Sequence, residues 1–409
     1  MSQRRCAVVF FLVAIYCVCA LHEHENPRWP QHDGKRRVLS LNADTFHAAV
    51  KKHPLLVVLF YVPPGHVLDP VKDKETSKNN WEQLEMTLEM TSQLLQKENV
   101  RTATINMIES YALVKALQIP SPGTILIYSK DRPSPHFYLG QRAMEVLAPY
   151  ILKMLQPAVT EIIGKTQKKQ YDQLDTAKVV GYFETSNDKG YSNFAKAAET
   201  FQPLIPFFVT FDKKLAKSLR VKKANFVIFD KPYEKYLTLT EPSSTEEIID
   251  FVRGNVRQSL TKVQLENIHG TWVHGEEEKM LVAFVRPQTP DGAAFFSVVK
   301  SLARNYADEN RTHFIWVDPD PLPNLHETWK TLYHIDMTQS NAFFGVVDGI
   351  KGEHAWYDVM EEGADLKKMR LWVQRLLSGK IKLKPVRTSA IVSSKFQSES
   401  DTSHRSDEL

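Results

Sequence analysis

The sequence predicts an α/β protein of three tandem units, each a mixed sheet covered by helices. Three observations carry this. Apolar strand-like runs alternate with amphipathic helical stretches, the pattern of sheets with parallel pairs covered on both faces. The order of elements restarts roughly every hundred residues, which reads as an internal triplication. The chain has 409 residues, 43% of them hydrophobic and 10% aromatic, enough for several packed cores.

The first strands are Leu55 to Val62, Val179 to Phe183 and Met280 to Val285. A turn and a helix follow each. In unit one, Trp81, Leu84, Leu88 and Leu95 share one helical face. The matching helices run from Tyr191 to Phe201 and from Ala294 to Tyr306. Second strands come next: Arg101 to Met107, Pro206 to Phe211 and His313 to Val317. A short helix then leads to the third strands, Thr124 to Tyr128, Phe226 to Phe229 and Ala342 to Val347. Closing helices run from Met144 to Leu155, Glu246 to Val256 and Leu366 to Leu377. The expected boundaries are a leader at 1–20, units at 30–156, 157–260 and 261–381, and a polar tail at 382–409. This element order is that of the thioredoxin fold.

The leader combines Arg4 and Arg5, an apolar run from Cys6 to Cys19, and small residues at Val18-Cys19-Ala20. This is the layout of a secretory signal peptide, and no later run is long enough to span a membrane. The chain ends Ser406-Asp407-Glu408-Leu409, one residue from the KDEL/HDEL retrieval signal. Together these predict the lumen of the endoplasmic or sarcoplasmic reticulum. Charge nearly balances, with 52 Lys+Arg against 48 Asp+Glu, so nucleic acid is not an expected partner.

The three cysteines, Cys6, Cys17 and Cys19, all lie in the leader. A chain cut after Ala20 has no thiol for disulfides, thiol exchange, nucleophilic catalysis or thiolate zinc. Thioredoxins carry Trp-Cys-x-x-Cys after the strand that precedes the long helix. Here that place reads Tyr61-Val62-Pro63-Pro64-Gly65-His66, Phe183-Glu184-Thr185-Ser186 and Phe284-Val285-Arg286-Pro287. Other enzyme motifs are missing too: His326-Glu327 is no H-E-x-x-H helix, and there is no phosphate loop or G-x-S-x-G elbow. No catalytic residue is expected. His22-Glu23-His24 reads as a terminal stretch rather than a metal site.

Longer blocks carry a family resemblance. Unit two holds Gly181-Tyr182-Phe183, Phe201-Gln202-Pro203 and Ile205-Pro206-Phe207-Phe208-Val209-Thr210-Phe211-Asp212. Unit three holds Phe314-Ile315-Trp316-Val317-Asp318-Pro319-Asp320, with Trp329 and Ile335-Asp336 beyond. Asp33-Gly34 and Arg37-Val38 stand near the expected mature start, and Tyr61-Val62-Pro63-Pro64 ends the first strand. From about Pro30 to about Ile381 the chain resembles the calsequestrins, luminal calcium-storage proteins of muscle. The resemblance implies three thioredoxin-like domains, no enzymatic activity, many calcium ions held at low affinity, and self-association as calcium fills. It also implies calcium ligation near Pro242 and Glu247, which match the family, whereas Thr240 stands where an Asp is expected.

Calcium takes six to eight oxygens at roughly 2.3–2.6 Å, so storage needs surplus carboxylates. The family ends in an acidic tail. This chain instead has Lys380, Lys382, Lys384, Arg387, Lys395 and Arg405 against Glu399, Asp401, Asp407 and Glu408. The expected capacity is therefore reduced. Three acidic groups are further candidates for calcium: Glu276-Glu277-Glu278; Glu361, Glu362 and Asp365; and the pair Asp318 and Asp320. Solvated surface or turn chemistry competes for each. Asn310-Arg311-Thr312 is a candidate N-glycosylation site. Two readings follow. One is a calsequestrin-like calcium protein that self-associates. The other is a redox-inactive, disulfide-isomerase-like chaperone or scaffold with luminal protein partners.

Overall fold

The computed structural model describes residues 31–385, save 70, 72, 131, 133, 272–277, 322–328, 331–332, 339, 341 and 349–351. The expected signal peptide, His22-Glu23-His24, Glu276, Glu277 and the expected retrieval residues Ser406, Asp407, Glu408 and Leu409 lie outside the described residues.

The first sheet holds β1 (Leu39–Leu41), β2 (Leu55–Tyr61), β3 (Val100–Asn106), β4 (Ile125–Ser129) and β5 (His136–Tyr138), in the order β1-β3-β2-β4-β5. The second holds β6 (Val159–Glu161), β7 (Lys178–Tyr182), β8 (Phe207–Thr210), β9 (Phe226–Asp230) and β10 (Leu237–Thr240), in the order β10-β9-β7-β8-β6. The third holds β11 (Thr261–Lys262), β12 (Lys279–Val285), β13 (Thr312–Val317), β14 (Ala342–Asp348), β15 (Glu353–Tyr357) and β16 (Lys384–Pro385). Its order is β11-β13-β12-β14-β15-β16.

The three sheets share one plan. A central strand pairs in parallel with one neighbour and antiparallel with the other: β2 with β3 and β4, β7 with β8 and β9, β12 with β13 and β14. The expected α/β class and thioredoxin-like plan are therefore present three times. The central runs are continuously apolar because both of their faces are covered. Along β2, Leu55, Val57 and Leu59 enter one core while Leu56, Val58 and Phe60 enter the opposite one. In β12, Leu281, Ala283 and Val285 face one core and Met280, Val282 and Phe284 the other. This is the period-two alternation of a strand, with an apolar layer on each side.

The helices end where local chemistry stops them. Met144–Leu155 and Leu366–Leu377 coincide with the sequence expectation. Asp365 caps the latter by accepting from the backbone N–H of Lys367 and Lys368, both at 2.9 Å. The long helix Lys74–Leu94 starts under Asp73, whose carboxylate accepts from Thr76 N–H. Leu88 and Leu95 are buried, with Trp81 and Leu84 packed at the edge of the same core. The chain entering unit one is docked on this helix by Glu89, whose buried carboxylate accepts from the N–H of Arg37 and Val38.

The edge strands and the leading helices Ala43–Lys52 and Lys165–Gln173 go beyond the sequence expectation. No helix among the described residues is long and apolar enough to cross a membrane.

Candidate functional site

The candidate calcium ligands fall in separate places, and each described carboxylate except that of Glu361 already serves a neighbour. Glu247 stands on the first turn of the helix Thr245–Asn255, where its Oε2 accepts from the N–H and hydroxyl of Ser243 at 2.9 and 3.2 Å. Ser244 caps the same helix by accepting from Glu247 N–H. Pro242, just before, is buried. Asp318, at the end of β13, is buried and accepts from Gln288 Nε2 at 2.9 Å. Asp320 pairs with Arg286 at 2.7 Å. The Arg286 guanidinium also donates to the backbone carbonyls of Met337 and Ser340. Glu362 pairs with Lys368 at 3.4 Å, and Asp365 is the helix cap described above. Glu361 lies exposed beside Glu362. Glu278 pairs with Arg257 at 3.1 Å. Among the described residues no three His, Asp or Glu side chains converge as a metal cluster. Paired surface carboxylates can still take calcium loosely, but each must first give up a cation or a cap.

Asn310 is exposed, and its Oδ1 accepts from Arg257 at 3.2 Å. The sequon hydroxyl, on Thr312, turns inward to the carbonyl of Glu309.

The three places where a thioredoxin would carry its thiols differ from one another. In unit two the turn after β7 is closed by Asp188, which accepts from the N–H of Glu184 and Thr185, both at 3.0 Å. In unit three it is closed by the Arg286–Asp320 pair. In unit one it is open. A cavity of about 390 Å³ lies there, walled by Tyr61, Trp81, Pro122, Gly123, Arg142 and, from unit three, His269.

Each wall has a local cause. Tyr61, the last residue of β2, stacks on Trp81 of the long helix with ring centroids 4.0 Å apart. The segment after β2 is folded onto Asp69, which is buried and accepts from Gly65 N–H at 2.8 Å, Val71 N–H at 2.9 Å and the Ser77 hydroxyl. Gly123 has φ +84°, and a Cβ there would lie 3.2 Å from the Arg142 guanidinium. Glycine thus supplies both the left-handed turn and the room for the arginine. The unit-three wall is clasped on by backbone bonds: Gln141 N–H donates to Leu265 carbonyl at 2.7 Å, and His269 N–H to Leu139 carbonyl at 2.9 Å. Gly270 packs against Leu139 so closely that a Cβ would meet its Cδ1 at 2.8 Å.

The cavity carries both signs of charge, the Arg142 guanidinium and the Asp69 carboxylate. No hydrogen bond or ion pair of the Arg142 guanidinium is present among the described residues. Arg142 is exposed to solvent at the cavity; desolvation by the surrounding protein lowers its pKa from the usual value, yet a guanidinium stays charged at any physiological pH. His269 is an exposed residue at the cavity rim; partial desolvation of its ring first, and the Arg142 charge second, lower its pKa to about 4, and its imidazole is neutral at pH 7. The Asp69 carboxylate is already committed to its own loop. Replacing Asp69 by Ala should strand two backbone N–H groups and cost about 1–3 kcal/mol. Faster hydrogen exchange at Gly65 and Val71 is the readout, and unchanged exchange would count against this role.

A second cleft, of about 360 Å³, lies against β7 and β9 in unit two. Its charges are largely paired within it, Lys168 with Asp172 at 2.5 Å and Lys178 with Asp230 at 3.9 Å. The sequence reading missed the unit-one cavity. Its only trace there was the redox position read without sulfur.

Comparison with known proteins fits this picture. The chain is similar to crystal form I of human ERp44, with a TM-score of 0.54 and 16% identity over 85% of this chain and 87% of that one. Form II gives 0.52 and 16% over 86% and 91%. At such identity the likeness shows the fold. The sequence profile described as calsequestrin matches residues 1–385. With the match spanning nearly the whole sequence and three thioredoxin-like sheets in place, the chain belongs to the calsequestrin family.

Proposed function

We propose that this protein is a non-enzymatic calcium-binding protein of the endoplasmic or sarcoplasmic reticulum lumen, with low affinity and a reduced capacity for the ion. Membership of the calsequestrin family carries the calcium reading. The apolar leader and the Ser406-Asp407-Glu408-Leu409 ending support the luminal address. The reduced capacity rests on charge. Lys+Arg slightly outnumber Asp+Glu, and the described candidate acids other than Glu361 are paired or capping. Weak calcium sites need clustered carboxylates that lack such partners. The lack of cysteine beyond the leader supports a role without thiol chemistry. Self-association fits a chain so near neutrality, since little repulsion has to be screened before copies meet.

Equilibrium dialysis of the mature chain at millimolar free calcium and physiological salt tests this. A few ions per chain are expected. Tens of ions would overturn the reduced capacity, and none at all would overturn calcium binding. The second reading, a redox-inactive luminal scaffold that holds other proteins, is favoured by one observation, the open cavity in unit one. Loss of calcium binding with client capture intact would select it.

A further inference from the structure

We propose that the unit-one cavity is a binding site for a monoanionic carboxylate carried on an aromatic or apolar group. Arg142 takes the carboxylate and the Tyr61–Trp81 pair takes the apolar part. This goes beyond the calcium reading and does not depend on it.

Four features point to that ligand class. The cavity, at about 390 Å³, is of small-ligand size. Its cation is unspent. The Arg142 guanidinium lines the wall without a hydrogen-bond or ion-pair partner among the described residues, whereas Arg257, Arg286 and Arg311 each hold a carboxylate. A planar guanidinium meets a carboxylate through two parallel N–H···O bonds, a match that lysine cannot offer. Next to it stand the stacked Tyr61 and Trp81 rings, a flat shelf for an aromatic or aliphatic group. Finally, the charge count suits one negative charge. Arg142 supplies the cation that one carboxylate can pair with, and the Asp69 carboxylate in the same lining, held by the N–H groups of Gly65 and Val71, disfavours any further negative charge.

The position has a consequence for the fold. Arg142 directly follows Gln141, whose N–H reaches across to Leu265 of unit three, and His269 faces the same cavity. A ligand seated there touches both units at their clasp, so it should stabilise unit three against unit one by mass action.

Isothermal titration of the full mature chain, without calcium, tests the proposal. The probes are 3-phenylpropionate, 3-phenylpropanamide, and acetyl-Gly-Gly-Phe as acid and as amide. Each acid is expected to bind at least about tenfold more tightly than its amide, since the charge-assisted pair is lost. Arg142→Gln should weaken the acids by about tenfold to a hundredfold and leave the amides unchanged. Arg142→Lys should recover only part of the loss. Because the guanidinium holds no group among the described residues, the Arg142→Gln thermal unfolding curve should match that of the parent, which separates a binding defect from misfolding. In the parent, the His269 imidazole resonance should shift on adding acid. A peptide acid that outbinds the free acid supports the proposal with a polypeptide end as the source. The reverse order supports it with a free small molecule as the source. Equal binding of acid and amide, no binding below about 10 mM, or an Arg142→Gln variant that binds like the parent would overturn it.

Discussion

Phe194→Ala is expected to cost unit two about 3–5 kcal/mol, a large share of the stability of a domain of that size. Phe194 lies on the helix Lys189–Phe201 and is wholly buried. Its ring centroid sits 5.4 Å from that of Phe183 and 5.1 Å from that of Phe207. The packing leaves no slack. A Cβ on Gly181 of β7 would stand 2.6 Å from the Phe183 ring and 3.2 Å from the Phe194 ring. Deleting the ring therefore opens a cavity between helix and sheet that stiff neighbours cannot collapse into. In a chain of three units a single unfolding transition is not assured. The measurement is therefore native-state hydrogen exchange at β7 and β8, with urea unfolding alongside. A loss below about 1 kcal/mol would mean that the aromatic cluster repacks. Met360→Ala is the control, since Met360 is 79% exposed and its removal should be nearly neutral.

Acidification from pH 6.5 to 4 is expected to take up to about 3 kcal/mol from unit one through His136 alone. His136 is in β5, hydrogen-bonded through Nε2 to the Tyr150 hydroxyl, with Arg132 nearby. Burial first, and the Arg132 charge second, hold its pKa near 4, below the ordinary 6.5. Burial also raises the pKa of Tyr150, so its hydroxyl keeps its proton and can donate to a neutral imidazole. The sign follows from linkage. Above pH 6.5 the imidazole is neutral folded and unfolded, and the contribution is complete. Between 6.5 and 4 the unfolded chain takes a proton that the folded chain refuses, so stability falls, and below 4 the loss levels off. His269, also held near 4, titrates in the same window, so the test compares variants. The gap in unfolding free energy between the parent and His136→Gln should narrow by up to about 3 kcal/mol as pH drops from 6.5 to 4. A gap that does not change with pH would show that water reaches the imidazole.

How much of the fold could be read from residue order depends on where each element lies in its sheet. The central strands were legible because both of their faces are covered: β2, β7 and β12 read as uninterrupted apolar runs. The closing helices were legible from their apolar spacing. Edge strands such as β1, β6 and β10 have three or four residues and half-exposed side chains, so little periodicity survives in them. They are strands because a neighbour bonds to them, as Leu39 to Leu41 do against Ala103 to Ile105.

The candidate site divides along the same line. Acidic neighbours in sequence are visible at once, and so are Asp318 and Asp320. That Asp320 is neutralised by Arg286, and Glu278 by Arg257, depends on chain segments 34 and 21 residues away. The cavity is less legible still, since Tyr61, Trp81, Gly123, Arg142 and His269 come from two units and five separate stretches.

Residue order alone settled the absence of thiols beyond the leader, the threefold α/β plan and the family. Each of these is a matter of composition, of local periodicity, or of blocks read along the chain. Tertiary structure alone decided which charges are satisfied. A carboxylate or guanidinium is spent or unspent according to what stands within a few ångströms of it, and among the described residues the exposed Arg142 guanidinium has no side-chain partner beside an open cavity.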